Sequence, residues 1–373
     1  MSREHIVIVG GGIQGASTAY YITHHQSFSA ETTDLTLIEA VSPACAASGN
    51  AGGFIAPNWH GKLTSKLADL SWHEHQRLAQ KHPRLWDYIQ LDTFSVKADE
   101  NSKQRVVLPR TIDWLDGNAI EHAELLEPEM ILLRFKLTIG LLNLAKDKGL
   151  NVINGKVKSF EQKAESKDIE FLIYSTSSME HQTLKVTKVI FTLGPWTSSL
   201  LPQTRITGQR AHAITIIPTR PTTPHAFFTS VTSKGEILDE PEIYARPDEV
   251  YVCGETDNEP LPETADQVKT DVEKCKKLHR AVCSISRVLL EGHTNSQRAC
   301  YLPVGPMNGP LVGRVGSLGN CWIGAGHSVW GICLSTGTGL VLSEMVMSGK
   351  KIEDIIGSYP SPDSMIGSYL PVS

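Results

Sequence analysis

The sequence lacks the features that would place it in several common classes. Its seven cysteines include no Cys-x-x-Cys pair, and its fourteen histidines show no convergent ligand spacing, so we expect no metal site. No uninterrupted apolar run approaches the roughly eighteen residues of a membrane-spanning helix. No signal peptide precedes the apolar run that begins at His5. No basic patch interleaved with aromatics is present, which argues against a nucleic-acid partner.

The composition is that of an ordinary globular protein. The chain has 373 residues, of which 40% are hydrophobic and 20% charged, with a net charge of −5. This length predicts about two domains with a sizeable core. Scattered, unpaired cysteines are typical of a reducing compartment. We therefore expect a cytoplasmic protein without a membrane span, with peripheral attachment to endomembranes as the alternative.

A glycine-rich turn follows the first apolar run, in "HIVIVGGGIQGAS". The continuous apolar run predicts a buried parallel strand. Gly10 permits a tight turn, Gly12 allows backbone to approach a pyrophosphate, and Gly15 allows the helix to pack on the strand. The helix expected over about 14–24 would direct its N–H groups and its positive dipole end at the phosphate. The motif therefore predicts dinucleotide binding.

The end of the second strand supports this interpretation. The run "DLTLIEA" is predicted as a strand that ends at Glu39, twenty-four residues after Gly15. A carboxylate at this place accepts hydrogen bonds from both ribose hydroxyls, which disfavours a 2′-phosphate and hence NADP. The alternative is a helix-capping glycine turn beside a surface glutamate.

A third segment bears on which dinucleotide is bound. Residues 43–57, "PACAASGNAGGFIAP", form a small-residue loop that leads into an apolar strand. Ser48 and Asn50 are placed to donate to a pyrophosphate, and the backbone of 51–54 is placed to meet a planar ring. This arrangement resembles the D-amino-acid oxidase superfamily of FAD enzymes, which includes glycine, sarcosine and fructosyl-amine oxidases. Within it the chain is most similar to little-characterised fungal oxidoreductases. An NAD dehydrogenase is the alternative.

The resemblance extends along most of the chain and implies a set of cofactor contacts. Val157 would lie at the adenine. The turn in "TLGPW" would form a wall of the cofactor site, and a plain core role for Trp196 is the alternative. The stretch "GHSVWGICLSTGTG" would form a loop under the flavin. A long helix from about Gly331 would stabilise negative charge on the reduced flavin. The implied contacts are Gly10, Gly12, Ile13, Gln14, Gly15, Glu39, Ala40, Ser48, Gly49, Asn50, Ala51, Gly52, Gly53, Val157, Thr192, Gly194, Trp196, Cys300, Gly326, His327, Val329, Trp330, Gly331 and Ile332.

The same resemblance predicts an α/β fold with two discontinuous domains. Residues 1–75, 140–208 and 298–373 would form a Rossmann-type FAD-binding domain. Residues 76–139 and 209–297 would form a substrate domain, a mainly antiparallel sheet with an α+β lid. The stretch "LLEPEMILLRFKLTIGLL" passes from a Leu-Glu-Pro turn almost directly into a helix. That short connection predicts an open active site, or one completed by a partner.

The sequence departs from the amino-acid-oxidising members at the substrate. Leu302 stands where those members have an arginine that clamps the substrate carboxylate, a role leucine cannot fill. Of the usual carboxylate-binding set only Tyr244 is present, and Val329 and Trp330 stand where relatives have cations. Either Lys62, Arg77 or Arg246 enters from the lid, or the substrate lacks a carboxylate. We favour the second, with a larger, less polar secondary amine lying against Tyr244, Leu302, Val329 and Trp330.

Cys300 aligns with the cysteine that links covalently to the flavin in sarcosine-oxidase-like members. The chemistry requires a thiol that ionises beside the flavin's xylene ring. A small buried residue beside non-covalent FAD is the alternative.

The implied reaction is oxidation of a C–N bond of an amine or amino-acid-like substrate. Hydride would pass to flavin N5, the imine would hydrolyse, and O₂ or another acceptor would reoxidise the flavin. His60 and His327 are candidates to deprotonate the ammonium or to stabilise reduced flavin, against a structural role for each. The alternative function is an FAD-binding interaction or trafficking module with little turnover, suggested by the missing clamp and the shortened lid.

Overall fold

The computed structural model describes residues 3–83, 88–99, 101–102, 106–132, 136–176, 180–234, 236–246 and 248–367. The strands are β1 Glu4–Val9, β2 Thr33–Glu39, β3 Phe54–Ile55, β4 Ile89–Asp99, β5 Ile120–Leu132, β6 Leu150–Asn154, β7 Lys156–Gln162, β8 Ile169–Ser175, β9 His181–Lys185, β10 Lys188–Phe191, β11 Thr207–Ile217, β12 His225–Ser233, β13 Glu236–Asp239, β14 Glu242–Ala245, β15 Val250–Asp257, β16 His293–Val304, β17 Leu311–Arg314 and β18 Cys321–Ala325. The helices are α1 Ile13–Thr23, α2 Ala47–Asn50, α3 Ser65–Lys81, α4 Lys136–Lys146, α5 Thr197–Leu200, α6 Val272–Ser284, α7 Arg287–Leu290, α8 Ser335–Ser348, α9 Ile352–Ile356 and α10 Pro362–Gly367.

The first strand lies at the centre of a six-stranded sheet, in the order β17-β18-β10-β1-β2-β6. Strands β18, β10, β1, β2 and β6 are parallel, and β17 pairs antiparallel at one edge. The last four residues of β1 are buried because helices cover one face of this sheet and a three-stranded sheet, β7-β8-β9, contributes to the core on the other. Parallel sheets covered on both faces need such continuous apolar strands.

The second large sheet has nine strands. Their order is β16-β11-β15-β14-β12-β4-β5-β3, with β13 beside β12. Its pairs are antiparallel except β12 with β4. Helix α6 packs on one face through Cys275, Leu278 and Val282. The predicted α/β class, with a mainly antiparallel second sheet, is confirmed.

The two ends of the chain meet through α1 and α8. Helix α1 packs against α8 where Gly339 lies on Ser17, since a Cβ on Gly339 would lie 2.3 Å from the Ser17 hydroxyl. Gly337 lies equally close to Ser71 of α3. Small residues in α8 therefore allow three helices to approach closely and bring both glycine-rich turns to one edge of the six-stranded sheet.

Two local predictions were wrong. The C-terminal helix begins at Ser335 rather than near Gly331, because residues 328–330 form a 3₁₀ turn and 331–334 a further turn. The Leu-Glu-Pro segment is no turn, since it lies within β5, where the pairing register with β4 shifts around Pro128. Residues 133–135, which follow it, lie outside the described residues.

The two-domain division stays a prediction. The six-stranded sheet lies within the ranges predicted for the first domain, and strands β11 and β16 cross its boundaries at 208/209 and 297/298.

All seven cysteines are free thiols. In the described part of the chain, no helix has the length and apolarity to cross a bilayer, and no cluster of His, Cys, Asp or Glu has metal-site geometry.

Candidate active site

One cavity of about 1020 Å³ runs between the six-stranded sheet and the nine-stranded sheet. It begins at the turn after β1 and ends against the inner face of β11, β14, β15 and β16. Every predicted cofactor residue except Gly15 and Gly49 lines it, and so do Tyr244 and Leu302. Residues predicted from seven separate segments (10–14, 39–53, 157, 192–196, 244, 300–302 and 326–332) therefore share one cavity, which is larger than most small-molecule sites.

The first glycine turn has the conformation that its spacing predicts. Gly10 has φ +113°, and a Cβ there would lie 2.5 Å from the Thr192 carbonyl oxygen. A Cβ on Gly15 would lie 2.0 Å from the Gly10 carbonyl oxygen, so Gly15 permits helix packing and does not line the cavity. Gly12 differs because a Cβ there meets only the Ser48 hydroxyl, at 3.1 Å. Its open side faces the cavity.

Glu39 lies at the end of β2, on the cavity wall. Its Oε2 accepts from the Gly11 N–H at 2.6 Å, and its Oε1 accepts from the Val41 N–H at 3.0 Å. A carboxylate can accept about four hydrogen bonds. Lone pairs therefore remain for ribose hydroxyls while the two backbone bonds hold the carboxylate in place.

The second small-residue loop is anchored on both sides. The Ser48 hydroxyl accepts from the Ile13 N–H at 2.9 Å, which joins this loop to the first turn of α1. The Tyr251 hydroxyl donates to the Asn50 carbonyl at 2.7 Å. A Cβ on Gly52 would lie 2.4 Å from the Tyr244 ring, so only glycine lets the loop lie flat on that ring. The Asn50 amide, predicted to donate to a pyrophosphate, donates to the Ala46 carbonyl at 2.8 Å instead.

Gln14 connects the two glycine turns. Its amide nitrogen donates to the Gly331 carbonyl at 2.8 Å, across 317 residues of sequence. Its Oε1 is buried and has no hydrogen-bond partner among the described residues. The hydrogen bond to Gly331 fixes the turn before α8 against the first turn of α1, at the wall of the cavity.

The two candidate histidines occupy different layers. The His327 ring lies at the cavity wall, is buried, and its Nε2 hydrogen-bonds the Thr338 hydroxyl at 3.0 Å. Burial lowers the pKa of His327 to about 3, so this ring is neutral at neutral pH. His60 does not line the cavity; its ring lies behind Trp330, with centroids 4.5 Å apart. Burial lowers the pKa of His60 as well.

The predicted substrate residues divide between wall and rim. Leu302 and Trp330 line the cavity and are half-buried, whereas Val329 lies at its rim with 62% of its surface exposed. Val329 is therefore less enclosed than expected of a residue that lies against a substrate. Cys300 also lines the cavity, and burial raises the pKa of its thiol to about 12.

The three lid cations do not replace the missing arginine. Neither Lys62, Arg77 nor Arg246 lines the cavity. Arg77 is paired with Glu74 at 2.6 Å on the surface of α3. Arg246 is fully buried, where it donates to Glu249 at 3.2 Å and to the Gly52 carbonyl at 2.8 Å.

Charged residues that the sequence reasoning missed lie on the inner sheet face. Arg298, Ala213, Cys253 and Glu242 are directly opposite one another on β16, β11, β15 and β14. Opposite residues share a face, and all four line the cavity. The Arg298 guanidinium donates to the Ser296 hydroxyl at 2.6 Å. The two-residue alternation of a strand already placed Glu242 on the same face as Tyr244.

Glu242 changes the role expected of Tyr244. The tyrosine hydroxyl donates to Glu242 Oε2 at 2.5 Å, and the Cys253 thiol approaches the same oxygen at 3.8 Å. The hydroxyl proton is therefore already engaged and is not free for a substrate carboxylate. Burial raises the pKa of the Glu242 carboxyl.

The sequence as a whole identifies the family. A model of the DAO family, described as FAD dependent oxidoreductase, matches residues 5–345. The chain belongs to this family of FAD-dependent oxidoreductases. The predicted membership is therefore confirmed, and FAD is the cofactor of the family.

Two fungal proteins are similar over nearly their whole length. One, from Schizosaccharomyces pombe and named "Putative oxidoreductase C1F5.03c", is 36% identical over 369 residues, covering 93% of this chain and 95% of that protein. Another, from Saccharomyces cerevisiae and named "Putative oxidoreductase TDA3", is 26% identical over 494 residues, covering 95% and 94%. These matches agree with the predicted resemblance to fungal oxidoreductases.

Solved structures of this family share the fold. Glycine oxidase from Bacillus cereus superposes with a TM-score of 0.75 at 16% identity, covering 95% of this chain and 97% of that one. L-proline dehydrogenase from P. horikoshii superposes with a TM-score of 0.73 at 16% identity, covering 94% and 96%. At such low identity these structures establish the architecture and leave the substrate open.

The residues present suit FAD. The Gly12 backbone, the Glu39 carboxylate and the Gln14 side chain line one cavity large enough for a dinucleotide. The first turn of α1 adds N–H groups without intrahelical acceptors, which bind phosphate.

The loop before α8 depends on a neutral histidine. His75 is fully buried, and its Nε2 lies 3.1 Å from the carbonyl oxygens of both Ile332 and Cys333. Burial lowers the pKa of His75 to about 4. The ring therefore donates to these carbonyls in its neutral form and holds the turn against α3.

We expect the folded state to lose stability in mild acid. The unfolded chain takes up a proton on His75 and His327 below about pH 6.5, whereas the folded rings stay neutral to about pH 4 and 3. Stability is complete above pH 6.5 and falls as the pH drops, by about 2 kcal/mol per histidine at pH 5. His75→Gln keeps a donor and does not titrate, so its melting temperature should fall less between pH 7 and pH 5 than that of the wild type. His181→Gln, an exposed site on β9, is the control; equal slopes for His75→Gln and the wild type would contradict the prediction.

Proposed function

We propose that the protein uses FAD to oxidise a C–N bond of an amine or amino-acid-like substrate. The observation that supports this proposal is the single cavity, which joins the glycine turns to a sheet face lined with charged and aromatic side chains. Glycine oxidase and L-proline dehydrogenase, which share the fold, are named for substrates with such a bond. When bound, FAD accepts the two electrons released by the substrate and passes them to O₂ or another acceptor.

The chain's own residues then position cofactor and substrate. In this proposal Gly12 and the first turn of α1 hold the pyrophosphate, and Glu39 holds the ribose. Val157 on β7 and Trp196, whose indole N–H donates to the Pro262 carbonyl at 2.7 Å, enclose the adenine half. The turn at 326–332, which Gln14 holds through its hydrogen bond to the Gly331 carbonyl, supports the ring. Fixed positions of this kind lower the barrier by orienting the reacting groups.

The substrate end has charges of both signs. Arg298 and Glu242 are three strand steps apart on the inner sheet face, which is about 14 Å between their backbones. Small side chains, Ala213 and Cys253, lie between them. We propose that Arg298 binds an anionic group of the substrate, in place of the arginine absent at Leu302.

We propose further that FAD is held without a covalent bond. Linkage through Cys300 requires a thiolate, and a thiol whose pKa is about 12 is protonated at neutral pH. Acid precipitation of the yellow protein should release the flavin to the supernatant, in the wild type and in Cys300→Ser alike. Colour retained in the wild-type pellet and lost from the Cys300→Ser pellet would establish a bond through Cys300.

The proposed activity is tested by anaerobic reduction of the bound flavin. The purified yellow protein is mixed with a panel of primary, secondary and carboxylated amines, and the visible absorbance of its flavin is followed. Bleaching by at least one amine, with recovery on adding an acceptor, is the expected result. A flavin that bleaches with light and a donor dye but with no amine would instead indicate an FAD-binding module with little turnover.

A further inference from the structure

Five cavity-lining side chains form an aromatic and acidic cluster at the substrate end. The cluster consists of Phe54, Trp59, Phe228, Tyr244 and Glu242. Phe54 is stacked on Tyr244 with centroids 5.4 Å apart, and Phe228 lies 4.8 Å from Trp59 and 5.7 Å from Phe54. The four rings come from three separate parts of the chain, the 54–59 segment, β12 and β14, and they become neighbours only when the chain folds.

Glu242 is the acidic member, and one of its oxygens is open to the cavity. Tyr244 and Cys253 both donate to Oε2. Oε1 has no hydrogen-bond partner among the described residues, and it is not one of the fully buried atoms. No described cation pairs with this carboxylate. A largely buried carboxylate without a cation is costly, and a docked cation would remove that cost.

Aromatic faces and a carboxylate favour the same kind of ligand. The negative face of an aromatic ring attracts a cation, and alkylated ammonium groups are bound by cages of such rings. Glu242 supplies the opposite charge at the wall of the cage. A carboxylate ligand would meet like charge here, and a neutral amide would gain nothing from the charge on Oε1.

We propose that this cluster binds the alkylated ammonium group of the substrate, so that the protein selects N-alkyl amines through Glu242. The inference rests on the proposed function only in taking this cavity as the substrate site. Glu242 holds the ammonium by charge, and the half-buried rings of Trp59 and Phe228 contact its alkyl groups. Phe54 and Tyr244, which are stacked on each other and nearly covered, support these two rings. In the sequence, Tyr244 suggested a site for a substrate carboxylate, which is an anion. In this proposal its hydroxyl orients Glu242 instead, and the site binds a cation.

The test uses a ligand that binds without reacting. Choline carries a quaternary ammonium with no lone pair, and 3,3-dimethylbutan-1-ol is its neutral isostere. Binding of each to the FAD-loaded protein is measured by calorimetry and by the shift of the flavin absorbance. We expect choline to bind at least about tenfold more tightly than the neutral isostere. Because choline needs no turnover, the result stands whether or not any amine bleaches the flavin.

Matched variants assign the effect. Glu242→Gln should weaken choline binding at least about tenfold and leave the neutral isostere within about twofold. Trp59→Leu, in a half-buried ring of the cluster, should weaken choline about threefold and provides a second measurement if Glu242→Gln does not fold. Glu236→Gln, exposed on β13 of the same sheet, should bind both ligands as the wild type does. Equal binding of choline and its isostere by the wild type, or wild-type choline affinity in Glu242→Gln, would overturn the proposal.

Discussion

Gly12→Val is expected to give a folded protein that has lost its FAD. Gly12 has φ −73° and ψ −176°, an extended conformation that valine adopts readily. A Cβ there meets only the Ser48 hydroxyl, at 3.1 Å, while the other side faces the cavity. The branched side chain would then fill the space where backbone must approach the pyrophosphate, weakening FAD binding by at least about 100-fold. The measurement is flavin content and FAD titration of the purified variant.

Two other glycines distinguish loss of cofactor from loss of fold. Gly15→Val places atoms within 2.0 Å of the Gly10 carbonyl oxygen, so this variant should fail to fold or melt far below the wild type. Gly61→Ala adds a Cβ that meets nothing within 4 Å and should retain both fold and flavin. A Gly12→Val protein that retains FAD on purification would show that the pyrophosphate does not bind at this turn.

Arg298→Met is expected to lower kcat/KM for carboxylate-bearing amines by about 100-fold. The guanidinium lies on the cavity wall, where the Ser296 hydroxyl orients it, and Ser296 is itself bonded to the Thr215 hydroxyl at 2.8 Å. A charged hydrogen bond contributes about 1.5–3 kcal/mol, which corresponds to roughly a 10- to 150-fold change. Methionine keeps the length of the side chain without its charge, so most of the loss should fall on KM.

A comparison of amines with and without a carboxylate distinguishes binding of the anion by Arg298 from structural support of the pocket by the same residue. Amines without a carboxylate should be oxidised by Arg298→Met with kcat/KM within about threefold of the wild type, because they make no ion pair there. Binding of benzoate, followed by the flavin spectrum, should weaken in parallel with the carboxylated substrates. A uniform loss across both kinds of amine would show that Arg298 supports the pocket and does not bind the anion.

The cofactor half of the site could be predicted because it depends on short-range backbone requirements. Gly10 needs a positive φ, and at Gly15 there is room for a hydrogen atom but not for a Cβ. Glu39 must end the second strand. Each requirement fixes the residue type at a set spacing in the sequence. The cavity includes the expected residues from the first turn to Ile332. The start of α8 was placed four residues early, since nothing in "GHSVWGICLS" marks where the turns give way to regular helix.

The substrate half could be predicted only in part. Comparison with relatives drew attention to Leu302 and to a missing arginine, and therefore to a substrate without a carboxylate. Arg298 could not be predicted as a site residue because its position matches no family motif, although it alternates with Cys300 and Leu302 on one face of β16. Tyr244 lines the cavity together with Leu302, and the Glu242 partner of its hydroxyl could not be predicted from the sequence.

The sequence by itself determined the family, the cofactor class and the parallel sheet, because glycines, buried strands and a strand-end glutamate act through neighbours close along the chain. Only the tertiary structure decided the charge of the proposed substrate end. Arg298, Cys253 and Glu242 lie in one row because β16, β11, β15 and β14 pair in that order, and strand order is a long-range property. Likewise, the rings of Phe54, Trp59 and Phe228 meet beside Glu242 only after segments far apart in the chain have packed together.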